Sequence, residues 1–273
     1  MESSVSSRSI EESFVHPDAL YRGAPFWSWN GVLEKEELLR QIDVFGQMGI
    51  GGFTIHVRTG LETEYLGDEF MDLVKVCRDY AASKGMLVWL YDEDRWPSGY
   101  GGGLVTQHEE FRLRQLLFTR TPLTGGESPV VAEAGAVSVR QEQGELLARF
   151  AVRLEDGHLQ SYRLLRAGES ASADENVWYA YLQVSGVSSW FNNLTYVDTL
   201  NPKAIQEFIR TTYERYRTAV GESFGSVIPA IFTDEPQFTH RKPLRRADSG
   251  EDVFFPWTPD LDASFPKTFG ELM

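Results

Sequence analysis

The strongest constraint on the fold is an alternation of strand-like and helical segments in the first third of the chain. An aromatic strand at residues 25–31 precedes residues 33–48, where apolar side chains recur at the spacing of one helical face. Further strands are predicted at residues 53–58 and 86–92, with a second helical pattern at residues 68–83 between them. This order is typical of a parallel sheet with right-handed connections.

The alternation of strands and helices is interrupted after a short predicted helix at residues 105–116. Residues 117–188 show strand-like alternation separated by turns rich in glycine and polar residues, which predicts a β-rich insertion. The parallel pattern then resumes with a short strand at residues 193–200, a strongly periodic helix, and an apolar strand at residues 227–233.

Together these segments predict an α/β fold with about five parallel strands. A complete (β/α)₈ barrel needs eight strands and about 250 residues without a large insertion, whereas this chain has 273 residues including the insertion. We therefore predict a partial (β/α)₈ TIM-type barrel with a β-rich insertion. The predicted segments are a flexible N-terminus (1–20), a first barrel half (21–116), the insertion (117–188) and an incomplete continuation of the barrel (189–273).

The composition argues against several classes of partner. The formal net charge of −14 is unfavourable for binding nucleic acid or an anionic membrane, since both require a basic surface. No stretch approaches the roughly 20 apolar residues of a membrane span. The N-terminus has no basic start followed by an apolar run, so we expect no secretory signal and a cytoplasmic protein. The single cysteine, Cys77, excludes an internal disulfide and an all-cysteine zinc site.

Two of the predicted strands end in the same acidic pair. One apolar run leads into Asp92 and Glu93, and a later one leads into Asp234 and Glu235. Functional side chains collect at the C-terminal ends of parallel strands. Two carboxylates in one pocket suit general acid–base chemistry, of which glycoside hydrolysis is the best-known case. The structural alternative is that such pairs cap helices or bind loop amides.

The alternation of side chains along a strand assigns these carboxylates to faces. Counting from Thr233, which is small enough for a barrel interior, places Glu235 on the same side and Asp234 on the other. The same count groups Tyr91 with Glu93. We therefore predict that the two glutamates are the catalytic pair, and that the aspartates position neighbours or accept backbone hydrogen bonds.

Other side chains near the predicted strand ends are candidates for binding a substrate. Trp27, Trp29 and Trp96 offer rings that stack on the apolar faces of sugars, although the first two could instead be core residues. His56 and Arg58 end the second strand, and a structural histidine is the alternative there. The predicted substrate-binding residues are Trp27, Trp29, Asn30, His56, Arg58, Asp92, Trp96, Asp198 and Asp234.

Asp198 and Asn201 end the fourth predicted strand. Their oxygen atoms could hold a sugar hydroxyl or a hard cation, but their spacing is not diagnostic of a metal site.

Four motifs, in this order along the chain, resemble the α-L-rhamnosidase-type (family 106) glycoside hydrolases. They are Phe26-Trp27-Ser28-Trp29-Asn30-Gly31, the segment from Gly49-Ile50-Gly51-Gly52 to Arg58, Tyr91-Asp92-Glu93 with Trp96-Pro97-Ser98-Gly99, and Phe232-Thr233-Asp234-Glu235-Pro236. The resemblance covers roughly residues 20–240, with the insertion similar only in kind.

The resemblance implies a (β/α)₈ catalytic barrel, inverting chemistry and a calcium ion near the active site. It places the catalytic glutamates at Glu93, as the acid that protonates the leaving oxygen, and at Glu235, as the base that activates water. Members of the family are far longer than this chain.

Three functional hypotheses follow from the sequence. The leading one is hydrolysis of a terminal sugar such as α-L-rhamnose, with a carbohydrate substrate, a possible calcium ion and no organic cofactor. The second is a catalytically impaired carbohydrate-binding barrel fragment. The third is one part of a split or homo-oligomeric barrel, because an unclosed sheet leaves edges that can pair.

Overall fold

A computed structural model of the chain describes residues 9–129, 135 and 137–270. The helices in this part of the chain are α1 (Ile10–Val15), α2 (Lys35–Gln47), α3 (Asp68–Ser83), α4 (Pro202–Thr211), α5 (Tyr213–Val220) and α6 (Leu261–Phe269). The strands are β1 (Phe26–Gly31), β2 (Gly52–Leu61), β3 (Leu87–Tyr91), β4 (Arg114–Thr119), β5 (Glu145–Glu155), β6 (His158–Leu164), β7 (Asn176–Val184), β8 (Ile231–Phe232) and β9 (Val253–Trp257).

The chain forms two compact units. Unit 1 comprises Met1–Arg95 and Arg210–Asp234, and unit 2 comprises Trp96–Ile209 and Glu235–Met273. The division into four segments at residues 1–20, 21–116, 117–188 and 189–273, made from the sequence, stays a prediction.

Unit 1 is built on a parallel sheet with the strand order β1-β2-β3-β8. The apolar faces of α2 and α3 are buried, as their periodicity predicts. Close approach of β2 to β3 requires glycine at Gly52, where a Cβ atom would lie 2.3 Å from the carbonyl oxygen of Leu87. The predicted α/β class with a parallel sheet is confirmed. Among the described residues this sheet has four strands, whereas about five were predicted.

Unit 2 is built on a five-stranded antiparallel sheet with the order β6-β5-β7-β4-β9. Both faces carry apolar clusters, with Leu117, Tyr181 and Phe254 in one and Val152, Trp178 and Val253 in the other. The fifth strand, β9, lies within residues 189–273, which were predicted to continue the barrel. The β-rich part therefore includes a strand far from residues 117–188.

The strand predicted at residues 193–200 is absent from both sheets. Asn192 and Asn193 adopt left-handed backbone conformations, with φ of 55° and 61°, which interrupt an extended chain. The backbone N–H of Leu113 then donates to the carbonyl of Tyr196 over 2.8 Å. This segment therefore makes two isolated antiparallel bridges, at Leu194 and Val197, instead of extending the parallel sheet.

The helix predicted at residues 105–116 is also absent. Short 3₁₀ turns at Gly101–Gly103 and Glu109–Phe111 precede β4. Residues 114–116, at the end of the predicted helix, instead begin β4, whose residues alternate in burial and which pairs with β7 and β9.

None of the helices in the described residues combines the length and the apolar character that crossing a membrane requires.

Candidate active site

The C-terminal ends of β3 and β8 lie side by side in unit 1. Leu90 pairs with Ile231 and Tyr91 with Phe232, and the backbone N–H of Asp92 donates to the carbonyl of Phe232 over 3.2 Å. Because both strands run in the same direction, their C-terminal residues Tyr91 and Phe232 lie at the same edge of the sheet. The sequence predicted this arrangement from the general behaviour of parallel strands.

Asp92 is fully buried and connects three elements. Its Oδ2 accepts hydrogen bonds from the Tyr213 hydroxyl over 2.6 Å and from the Thr233 hydroxyl over 2.8 Å. Burial and the nearby charge of Asp92 raise the pKa of Tyr213, so the phenol stays protonated and can donate. These contacts fix β3 to α5 and to the segment after β8, which suits the positioning role predicted for Asp92.

Asp234 is held by the phenol of Tyr91. The Tyr91 hydroxyl donates to Asp234 Oδ2 over 3.1 Å, and burial, followed by the charge of Asp234, raises the pKa of Tyr91. The ring of Tyr91 also stacks on Phe232, with ring centroids 6.0 Å apart. Asp234 therefore shares a face with Tyr91 and Phe232.

The predicted division of the carboxylates by face needs a correction. The sequence count placed Thr233 on the same face of the sheet as Tyr91. In the structure the Thr233 hydroxyl is hydrogen-bonded to Asp92 and to Tyr213 instead. The reason is the register, because Tyr91 pairs with Phe232 and paired residues project to the same side of a parallel sheet. Asp234, two residues beyond Phe232, therefore lies on the side of Tyr91.

The two predicted catalytic glutamates differ in environment. Glu93 is fully buried in unit 1, and its Oε1 accepts the backbone N–H of Asp94 over 2.8 Å. Glu235 is exposed in unit 2, and its Oε2 accepts the indole N–H of Trp96 over 3.0 Å. The backbone φ of Glu235 is +43°, a strained value that is found more often at functional sites. Their pairing as acid and base stays a prediction.

A row of aromatic rings crosses one face of the parallel sheet. His56 lies between Phe26 and Tyr91, with ring centroids at 4.7 Å and 4.0 Å, and Phe26 meets Phe232 edge-on at 5.2 Å. Phe26 is 54% exposed and Phe232 is 40% exposed. Apart from His56, these residues were missed as candidates. Phe26 begins β1, whereas Phe232 ends β8.

His56 is neutral in this setting. It is only 5% exposed, and its Nδ1 has no hydrogen-bond partner among the described residues. Burial, and next the charge of Arg58, lower the pKa of His56 to about 4. The imidazole therefore serves as a buried aromatic ring within the row rather than as a cation.

Trp27 and Trp29 lie in the core beneath the helices and do not form a platform for a sugar. Trp27 donates its indole N–H to Gln41 over 2.6 Å and packs edge-on against Phe45 of α2. Trp29 packs edge-on against Phe70 of α3. Both rings are buried, so their placement fits the core alternative and corrects the predicted stacking role.

The remaining predicted binding residues are divided between the units. Asn30 and Arg58 are exposed in unit 1, whereas Trp96 is half-buried in unit 2. Asp198 is buried in unit 2, where Oδ2 accepts the Thr258 hydroxyl over 2.9 Å, and burial raises the pKa of this carboxyl.

Asn201 accepts the backbone N–H of Lys203 at the start of α4. This contact caps the start of α4, and a binding role for Asp198 stays a prediction.

The predicted calcium ion has no evident ligand set in the described part of the chain. Residues 9–129, 135 and 137–270 contain no group of three or more His, Cys, Asp or Glu side chains arranged to hold a metal ion. Calcium binding stays a prediction from the family resemblance.

No protein-family model matches the sequence, and no curated protein matches it. Among solved structures, the chain is similar to that of a rhamnosidase from Novosphingobium sp. PP1Y, with a TM-score of 0.56. The fold is rhamnosidase-like. The match covers 97% of this chain but only 42% of that rhamnosidase, so the chain spans less than half of its length. At 12% sequence identity, the likeness extends to the fold alone.

Proposed function

We propose that the chain is an inverting glycoside hydrolase of the α-L-rhamnosidase type (family 106) that cleaves a terminal sugar such as α-L-rhamnose. The observation that supports this proposal is the pairing of β3 with β8, because these are the strands that lead into the two acidic pairs of the sequence. The rhamnosidase-like fold supports the same reaction class. In this proposal the four parallel strands belong to a (β/α)₈ barrel.

The proposed reaction uses Glu93 as the general acid and Glu235 as the general base. Glu93 gives its proton to the glycosidic oxygen as the bond from that oxygen to the anomeric carbon breaks. Glu235 takes a proton from the water that attacks the anomeric carbon from the opposite side, which inverts its configuration. Inverting enzymes hold such carboxyl groups roughly 6.5–9.5 Å apart to admit the water.

The proposed sugar-binding face is the aromatic row of unit 1. The exposed rings of Phe26 and Phe232 offer apolar surface to the C–H groups of a deoxy sugar. Asp234 lies on the same face, where the hydrogen bond from Tyr91 fixes its carboxylate. We assign Asp234 a hydroxyl-binding role and keep Asn30 and Arg58 as exposed polar candidates.

The burial of Glu93 favours a second candidate function, a carbohydrate-binding fragment without turnover. A general acid has to reach the glycosidic oxygen, whereas the side chain of Glu93 is shielded and accepts a backbone hydrogen bond. The third candidate, a split or oligomeric barrel, is supported by β1 and β8, which are the edges of the parallel sheet. A molecular mass in solution that rises with protein concentration would support that candidate.

The test of the proposed hydrolase is Glu235→Gln, assayed on an aryl α-L-rhamnoside. Loss of a general base lowers turnover by about 10²–10⁴-fold, and the exposed position leaves the unfolding midpoint unchanged. Glu155→Gln, which alters an exposed carboxylate at the end of β5, is the matched control. Unchanged turnover in Glu235→Gln would remove this residue from the mechanism.

Two further arms of the assay separate the remaining hypotheses. A wild-type chain that binds the rhamnoside without cleaving it supports the carbohydrate-binding fragment. A parallel measurement with a calcium chelator tests the calcium requirement that the family resemblance implies.

A further inference from the structure

Unit 2 contains a cavity of about 450 Å³ at one end of its antiparallel sheet. Its walls are the beginning of β4, the end of β7 with the turn that follows, and the segments around residues 128–129 and 141–145. This volume lies within the range of small-molecule sites, roughly 300–1,000 Å³. None of the residues predicted from the sequence to bind substrate lines this cavity.

A network of glutamine side chains fixes one wall of the cavity. Gln183 is buried, and its Nε2 donates to the carbonyl of Gln141 over 2.5 Å and to that of Gln143 over 3.0 Å. Its Oε1 accepts from Gln115 Nε2 over 3.2 Å. At Gly144, a Cβ atom would lie 2.9 Å from the carbonyl oxygen of Leu182. This wall is therefore held in place before any ligand arrives, which favours specific binding.

Two polar side chains of the cavity wall carry an atom that has no hydrogen-bond partner in the described part of the chain. Arg114 and Ser185 both line the cavity, and Arg114 Nε and Ser185 Oγ are buried without a partner among the described residues. Buried polar groups are normally hydrogen-bonded. Rotation of either side chain toward the cavity would give it a partner on a bound ligand.

The described residues of the cavity lining have balanced charge. Arg114 is its one cation and Glu145 its one anion among the described lining residues, and the other polar groups are amides and hydroxyls. Leu182, Val184 and Val187 add aliphatic surface. A ligand with net charge would leave that charge uncompensated, whereas hydroxyl groups can both donate to the carboxylate and accept from the guanidinium.

We propose that this cavity binds a neutral, polyhydroxylated ligand, a sugar unit, independently of Glu93 and Glu235. The sugar hydroxyls bond to Arg114, Ser185 and the amides, and the C–H groups contact the aliphatic side chains. The site is an accessory carbohydrate-binding site and takes no part in bond cleavage.

The test is calorimetric titration of the full chain with L-rhamnose, D-galactose and D-glucose. Val187 is 44% exposed at the cavity, so Val187→Trp fills the opening without disturbing the core. Leu164→Trp, at a 57% exposed position of β6, is the control for an added surface indole. We expect millimolar binding of at least one sugar, weakened at least tenfold by Val187→Trp and by Arg114→Gln, and unchanged by Leu164→Trp.

The other outcomes overturn the proposal. The proposal fails if none of the three sugars binds to the wild-type chain. It also fails if Val187→Trp and the wild type bind the sugar with equal affinity. Binding that is lost in Glu235→Gln but retained in Val187→Trp would assign the sugar to the proposed hydrolase site and reject the accessory site. Circular dichroism of Arg114→Gln confirms that a loss of binding does not reflect unfolding.

Discussion

The buried histidine of the aromatic row makes the stability of the protein depend on pH. His56 has a pKa of about 4 in the folded chain, against 6.5 without the fold. Between these values the unfolded chain binds more protons than the folded chain, so the free energy of unfolding falls as the pH falls. One pKa unit corresponds to about 1.4 kcal/mol, so the difference of about 2.5 units destabilises the fold by about 3 kcal/mol near pH 4.

The assay is urea unfolding at pH 7 and at pH 4 for the wild type and for His56→Phe. Phenylalanine keeps a ring between Phe26 and Tyr91 but cannot take up a proton. We expect the wild type to lose about 3 kcal/mol more than the variant between the two pH values. His240→Phe, at an exposed histidine of unit 2, should follow the wild type. An equal pH dependence in wild type and His56→Phe would refute the neutral, buried imidazole.

Two further predictions concern groups of unit 1. Tyr213→Phe removes a hydrogen bond to the buried carboxylate of Asp92 and should lower the free energy of unfolding by about 2 kcal/mol in urea titrations. Tyr80→Phe removes a similar hydrogen bond to the partly exposed Asp43 and should lower the free energy of unfolding by less. Equal losses in the two variants would contradict the idea that burial of the carboxylate strengthens the bond. Cys77 is buried with its pKa raised by burial to about 12, so a thiol reagent should label it only after unfolding, and rapid labelling of the native protein would contradict its burial.

The first three parallel strands and their two helices could be predicted because each depends on local periodicity. The adjacency of the acidic strand ends could also be predicted, since parallel strands end at a common edge. The register could not, because it depends on which residue of β8 pairs with Tyr91, and β8 has only two residues. The prediction therefore placed Thr233, instead of Asp234, on the face of Tyr91.

Pairing over long sequence distances explains the errors outside unit 1. The apolar segment at residues 193–200 has the composition of a strand but makes only isolated bridges. Conversely, β9 contains Pro256, and a proline in a sequence argues against a strand. The strand forms nevertheless, and it lies at the edge of its sheet. An edge strand tolerates proline because one side needs no ladder hydrogen bond. Neither outcome can be inferred from local composition.

The strand β1 shows why the aromatic residues of the candidate site were misassigned. Aromatic side chains stand on both of its faces, so alternation alone cannot separate core from site. Trp27 and Trp29 face α2 and α3 and are buried, whereas Phe26 lies in the row of His56 and remains exposed. The position of the helices decides between the faces, since a ring covered by a helix cannot stack on a sugar. The stacking role predicted for the two tryptophans therefore belongs, in the proposed hydrolase, to Phe26 and Phe232.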